Sequence, residues 1–460
     1  MNVKHHQAIH TFNSKARWNL FGSAIYECLR IAHNTILALL FTPQVFGLVG
    51  SLFASTFLVV RVSDAGATNA LLPFFGYLEA SRQKFKSLFI KRLLFPLFIT
   101  APLGACLASL MLYKTEHTTL MTYALILPLL IFSETLRSFL RQFLHLAGRS
   151  RQTVLIDHVA FVIYLLICWP ALYLFPELRT PIFIFTLFLV DSLAGLCTFL
   201  IMTYRFAQQL PEEPLAGSPT LPPNFYSVRL YAWLMRVSKE VFSSNALTPL
   251  FAATVGLKQA GLFYFAASLA MALYAIMRSV IGHAGAHFFI SAKKIDIPTP
   301  HAFKVVSQKL SAILLVLTTF FVLSYYDILQ LTHATAATSQ LAIFFILYFS
   351  IVVIEFGLFL YEQQYTLEQS NAKALQWRLL ELLLVYVTAR GLVILNPISA
   401  LTCILLAKVG TLVALALSGY RRWGILLSFH MPWSRVGILV ALGTLLSLLL
   451  KASLYVLHFI

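Results

Sequence analysis

Eight basic side chains interrupt apolar stretches of this chain: Arg30, Arg61, Arg236, Lys239, Arg278, Arg390, Lys408 and Lys451. A charge near the middle of a bilayer costs about 2.5–3.5 kcal/mol on insertion scales, so each needs a partner or a purpose. Three have a carboxylate three or four residues away: Arg30 with Glu27, Arg61 with Asp64 and Arg236 with Glu240. That helical spacing brings side chains together, so pairing along one helix is one reading. Arg278 has Tyr274, Ala275, Ile281 and Gly282 at the same offsets, so its partner is expected from another helix, water or a ligand. Arg30, Arg61, Arg236, Lys239 and Arg278 lie at similar depth in their stretches. Guanidinium grips phosphate with a two-pronged fork. These five are therefore the candidate substrate-binding residues, for an anionic headgroup such as a phosphate or pyrophosphate.

Asp64, Glu240 and Glu355 are candidates for carrying a coupling H+ or Na+. Glu134, Asp191 and Glu381 also lie in apolar stretches, with interhelical ion pairing as the competing reading. Arg390 reads as a second station or a structural cation, Lys451 as a snorkelling residue, and Lys408 carries no assignment. His283 and His287 have i,i+4 spacing but no third ligand near them, so no metal and no other cofactor is expected. Cys28, Cys106, Cys168, Cys197 and Cys403 form no C-x-x-C pair and read as small core residues. No Gly-rich phosphate loop, H-E-x-x-H or G-x-S-x-G motif occurs. The chain is therefore expected not to be an enzyme, and no catalytic residue is assigned.

The elements that hold these residues are membrane helices. Of 460 residues, 59% are hydrophobic and only 11% charged, with mean hydropathy +0.81, whereas soluble domains are about 45–50% apolar and about 25% charged. At about 20 residues per crossing there is room for a dozen spans. They read as 19–41, 45–74, 93–113, 119–140, 154–175 and 181–204, then 230–255, 262–290, 310–326, 341–361, 379–395 and 398–417, with 436–459 as an extra C-terminal span. The fold class is all-α and polytopic, two six-helix lobes plus that extra span.

Net charge of +17 would suggest nucleic acid in a soluble protein. Sorted by loop with the N-terminus inside, 23 of the 34 basic residues fall on the inner side and 3 on the outer. Such asymmetry places the N-terminus in the cytoplasm and explains the excess as topology and attraction to membrane lipids, with no nucleic acid involved. Arg137 and Arg378 are counted in that inner set. The outer loops are short, which disfavours a membrane enzyme of glycan assembly.

Between the sixth and seventh spans, Pro211, Pro214, Pro219, Pro222 and Pro223 mark an extended spacer. The domain reading is 1–205 for the first lobe, 206–228 for a cytoplasmic linker, 229–420 for the second lobe and 421–460 for the extra span. A weak repeat accompanies it: Asn34, Phe46-Gly47 and Asp64-Ala65-Gly66-Ala67 recur in order as Asn245, Ala260-Gly261 and His283-Ala284-Gly285-Ala286. Lobes of equal parity imply a substrate path between them.

Phe46-Gly47-Leu48-Val49-Gly50 followed by Ser63-Asp64-Ala65-Gly66, with the basic loop after it and Leu146-Ala147-Gly148-Arg149-Ser150-Arg151, resembles a known pattern. It is similar to the polysaccharide exporters of the MATE-like multidrug/oligosaccharidyl-lipid/polysaccharide superfamily, chiefly over residues 15–160. Ser63 departs from it, since a hydrophobic residue is commoner there. The resemblance implies an alternating-access flippase in the bacterial cytoplasmic membrane that moves an undecaprenyl-pyrophosphate-linked oligosaccharide outward for cell-surface polysaccharide assembly. Partners so implied are that glycan and the polymerase or glycosyltransferases that handle it. Arg30, Arg61 and Arg278 lie on helices matching those by which the lipid II flippase branch holds pyrophosphate. A cation-coupled drug antiporter is the alternative on the same fold, and its cavity is expected to be acidic.

Overall fold

The computed structural model describes residues 3–113, 120–213, 224–278, 285, 288, 289, 292, 298–330, 338–368, 370–392, 396–424 and 433–458. Among these residues the chain is helical, with no strand. In order the helices are α1 (Val3–Leu40), α2 (Pro43–Ser63), α3 (Ala67–Leu78), α4 (Arg82–Phe85), α5 (Phe95–Tyr113), α6 (Leu120–Leu146), α7 (Ser150–Leu174), α8 (Pro181–Gln208), α9 (Phe225–Glu240), α10 (Ser244–Val255), α11 (Leu257–Arg278), α12 (Thr299–Gln330), α13 (Thr338–Leu367), α14 (Asn371–Leu392), α15 (Pro397–Trp423) and α16 (Trp433–His458). A π-helical stretch, Lys86–Leu94, leads into α5. Eight helical segments of the described residues are long and apolar enough to cross a membrane. The chain is a multi-pass membrane protein.

Local chemistry explains where helices begin and end. Thr42, Thr180 and Asn396 each precede a proline, and each side chain accepts a hydrogen bond from the first turn of α2, α8 or α15. A polar cap before proline at the first helical position satisfies one orphan amide and fixes φ for another. Gly148, at φ 78°, turns the chain between α6 and α7. Leu166, Leu103 and Ile438 are at least 60% exposed, as helices facing lipid allow.

The chain forms two compact units, each drawing on both halves of the sequence. One comprises residues 40–264 and 362–383. Its centre is α2, which packs against α5, α6, α9 and α10, while α6 lies along α8. Gly47 and Gly261, paired as equivalents in the sequence repeat, meet here: a Cβ on Gly47 would stand 2.0 Å from the Leu257 carbonyl oxygen, and one on Gly261 3.1 Å from the Gly47 Cα. Only glycine permits that backbone approach.

The other unit comprises residues 1–39, 265–361 and 384–460. In it α16, the extra C-terminal span of the sequence reading, packs along α12. Gly443 makes room for the Val316 carbonyl and Thr319, Ser324 Oγ donates to Ser447 Oγ at 2.7 Å, and Lys451 Nζ lies 3.5 Å from Asp327 Oδ2.

Candidate functional site

Two stretches read from the sequence as single spans are each broken in the structure. Residues 45–74 divide into α2 and α3 at Asp64-Ala65-Gly66, and residues 230–255 divide into α9 and α10 at 241–243. Hydropathy does not register such breaks, because a few charged residues barely lower the mean of a long apolar window. At the first break Ala65 and Gly66 adopt φ 46° and 76°, a left-handed pair that a non-glycine residue seldom enters. Neighbouring side chains hold it there. Asp64 Oδ1 accepts from the Gly66 amide at 2.9 Å, Arg229 Nε donates to the Ala65 carbonyl at 2.8 Å, and Trp233 Nε1 donates to the Val62 carbonyl at 2.8 Å. The carbonyls freed where α2 stops are thus satisfied from α9.

The charges at these breaks pair across helices. Arg61 Nη1 donates to Glu240 Oε1 at 2.8 Å, and Arg236 Nη1 donates to Asp64 Oδ2. This corrects the same-helix pairing expected from spacing: the arginine of each helix takes the carboxylate of the other. Only the same-helix pairs satisfy the i,i+3 and i,i+4 rule, so the crossed pairs follow from the packing of α2 on α9 and not from spacing. Asp64, Arg236 and Glu240 are buried, while the Arg61 side chain keeps 23% exposure.

The next turn of α9 extends the network. Lys239 pairs with Glu362 on α13, Arg378 Nε donates to Glu362 Oε1 at 2.5 Å, and Arg378 Nη1 donates to Glu381 Oε2 at 2.6 Å. Arg378 is 1% exposed and was counted among the loop charges in the sequence reading. Its burial beside two carboxylates is the physical reason for the difference. Glu362 and Trp233 were not singled out; the polar run Glu362-Gln363-Gln364 closing an otherwise apolar helix is the signal that marks the former.

The remaining candidates lie in the other unit. Arg30 keeps its expected partner, with Nε 2.6 Å from Glu27 Oε2, and also donates to the Ser268 carbonyl at 3.2 Å. Arg278 is half-buried in the last turn of α11. Lys408, unassigned from sequence, is 2% exposed and donates to Glu355 Oε2 at 2.6 Å. Asp64, Glu240 and Glu355, the three candidate coupling carboxylates, therefore each hold a cation of the chain itself. His283, His287 and the Arg390 side chain lie outside the described residues, and no group of His, Cys, Asp and Glu among the described residues is placed to hold a metal ion.

No protein-family model and no curated protein sequence matches this chain. Solved structures do. The outward-facing conformation of a multidrug resistance MATE family transporter of the MOP superfamily aligns with TM-score 0.68 at 12% identity, over 91% of this chain and 96% of that one. A MATE in the straight conformation gives TM-score 0.65 at 12% identity over the same shares. A MOP superfamily transporter from Pyrococcus furiosus, described as having a binding pocket of reverse polarity that suggests a different function, gives 0.59 at 10% identity, again over 91% and 96%. At such identities the likeness is one of fold: the chain has the fold of these transporters.

Proposed function

We propose that this chain, built on the MATE-type transporter fold, is a flippase that carries a polyprenyl-pyrophosphate-linked oligosaccharide across the bacterial cytoplasmic membrane by alternating access. One observation carries the reading. The two halves of the chain have broken helices, α2/α3 and α9/α10, with an arginine and a carboxylate at each break, crossed between α2 and α9. Interrupted helices in corresponding halves are the sites at which transporters of this general build bind substrate, since unwound backbone and charge are tolerated only where they are buried in protein or line a cavity.

The crossed pairs suit an anionic substrate. A guanidinium held by a carboxylate is already oriented and desolvated, and a phosphate oxygen makes the same charge-assisted bond as the carboxylate oxygen it displaces. Asp64 and Glu240 then serve as internal stand-ins that keep Arg61 and Arg236 neutralised when no substrate is bound. Lys239, in the same unit, remains a proposed contributor, and Arg30 and Arg278 are proposed phosphate ligands of the other unit. The reverse polarity described for the Pyrococcus furiosus transporter supports the idea that this fold accommodates more than drug cations.

Deletion followed by analysis of lipid-linked glycans tests the reading. It predicts that an undecaprenyl-linked oligosaccharide accumulates on the cytoplasmic side. Unchanged glycans together with altered drug sensitivity would instead favour a cation-coupled multidrug antiporter. The specific observation on the side of that second reading is the buried carboxylate set Asp64, Glu240 and Glu362, together with the multidrug transporters among the similar structures.

A further inference from the structure

Away from the broken helices, three carboxylates converge on one buried arginine. Arg137 on α6 donates through Nη1 to Glu134 Oε1 at 3.1 Å and to Asp191 Oδ2 at 2.8 Å, and through Nη2 to Asp157 Oδ1 at 3.0 Å. Arg141, one turn further, lies 3.6 Å from Asp157 Oδ2, with its side chain 42% exposed. Helices α6, α7 and α8 all contribute, and Gly195 on α8 makes the room, since a Cβ there would stand 2.7 Å from Arg137 Nε. Arg137, Glu134, Asp157 and Asp191 are all buried. The sequence reading placed Arg137 among loop charges. Its role as the centre of a buried cluster is visible only once three helices are packed.

The charge of this cluster does not close. Glu134, Asp157 and Asp191 oppose Arg137 and the half-exposed Arg141, leaving one negative charge in excess. Glu134 and Asp191 also share a single nitrogen, Arg137 Nη1, which puts their carboxylates within about 6 Å of each other; like charges that close favour protonation of one of them. The atom that gains is identifiable. Asp191 Oδ1 is buried, with no hydrogen-bond partner among the described residues, and the Asp191 side chain is 4% exposed. An ionised oxygen so placed is costly, whereas a neutral carboxyl is much less so.

We propose that Asp191 holds a proton at neutral pH, so that the Arg137 cluster is a proton-binding site. Uptake adds a proton from water to a carboxylate oxygen and release returns it, stepping the cluster between one net negative charge and none. A proton suits the site better than a metal ion. A hard cation takes six or more oxygen ligands, and here the carboxylates already face a guanidinium that repels one. The groups facing Asp191 and its neighbour Glu134 are Arg137 and Arg141 on α6, and Asp157 and Tyr164 on α7, with His145 near Asp157 at the end of α6. The site is independent of which molecule the protein transports.

Infrared spectroscopy of the purified full chain in nanodiscs tests this without a transport assay. The carbonyl band of a protonated carboxylic acid is expected at pH 7 in the wild type and is expected to be lost in Asp191→Asn. Because asparagine mimics the neutral carboxyl, Asp191→Asn is also expected to keep the wild-type melting temperature, while Asp157→Asn lowers it by several degrees. The proposal is overturned if the wild type shows no such band. It is equally overturned if the band survives Asp191→Asn, if Asp191→Asn destabilises as much as Asp157→Asn, or if sodium rather than pH shifts the wild-type melting temperature.

Discussion

Crossed pairing of α2 and α9 makes a quantitative prediction about four side chains. Asp64 is 3% and Arg236 9% exposed, so removing either charge leaves the other buried and uncompensated, a loss of about 3–5 kcal/mol. Removing both, as Asp64→Asn with Arg236→Gln, is expected to recover much of that loss. The coupling energy then lies toward the top of the about 0.5–3 kcal/mol range for residues in contact. Glu240, though buried, still faces Arg236, so Arg61→Gln costs less, about 1–3 kcal/mol, through the charge-assisted bond it removes. The deciding comparison is the second cycle, Asp64→Asn with Arg61→Gln. These residues are neighbours on α2, but each bonds a different partner on α9, so their coupling is expected to be the smaller. Thermal unfolding of the purified variants in detergent, followed by tryptophan fluorescence, measures both cycles. Coupling between Asp64 and Arg61 equal to or greater than that between Asp64 and Arg236 would refute the crossed arrangement.

Gly47→Ala forces a Cβ to within 2.0 Å of the Leu257 carbonyl, a backbone atom, and is expected to cost about 1–3 kcal/mol in melting experiments. Gly410→Ala, whose nearest contact would be Leu384 Cδ1 at 3.9 Å, is the control expected to be near neutral. Lys408→Met leaves Glu355 without its lysine and is expected to lower the melting temperature, with Lys408→Met/Glu355→Gln restoring most of it. His145 lies beyond the apolar part of α6, its ring nitrogen Nδ1 3.1 Å from Ser150 Oγ, and burial lowers its pKa from 6.5 to about 3. A folded pKa below the unfolded one means that this contribution is intact above pH 6.5 and is lost as pH falls towards 3. Between pH 6.5 and pH 5 the wild type should therefore lose about 2 kcal/mol more than His145→Gln, as measured by melting at the two pH values.

Span-forming character was legible because burial in lipid demands it of nearly every residue along a helix. Caps such as Thr42-Pro43 and Thr180-Pro181 are equally local, although the sequence reading did not single them out. The breaks at Asp64-Ala65-Gly66 and 241–243 were not. They depend on donors from a distant helix, Arg229 and Trp233, whose reach no local pattern reports. Arg61, Asp64, Arg236, Lys239 and Glu240 were identified individually by their cost in an apolar stretch, but their partners on other helices were not. Arg61 sees one carboxylate three residues away and another 179 residues away, and the sequence favours the near one. Arg137 and Arg378 show the same limit from the other side. Each lies near the end of an apolar stretch, where a charge reads as solvated, and burial emerges only when neighbouring helices bring Asp157, Asp191 and Glu362 to it.

The central claim is that this chain translocates a pyrophosphate-linked lipid, and reconstitution tests it most directly. Proteoliposomes containing the purified protein and a fluorescent polyprenyl-pyrophosphate oligosaccharide in one leaflet would be followed with a membrane-impermeant quencher. The account predicts protein-dependent movement of the label between leaflets, strongly reduced by Arg61→Gln with Arg236→Gln. Absence of movement from liposomes that do exchange a cationic drug for protons or sodium would contradict it.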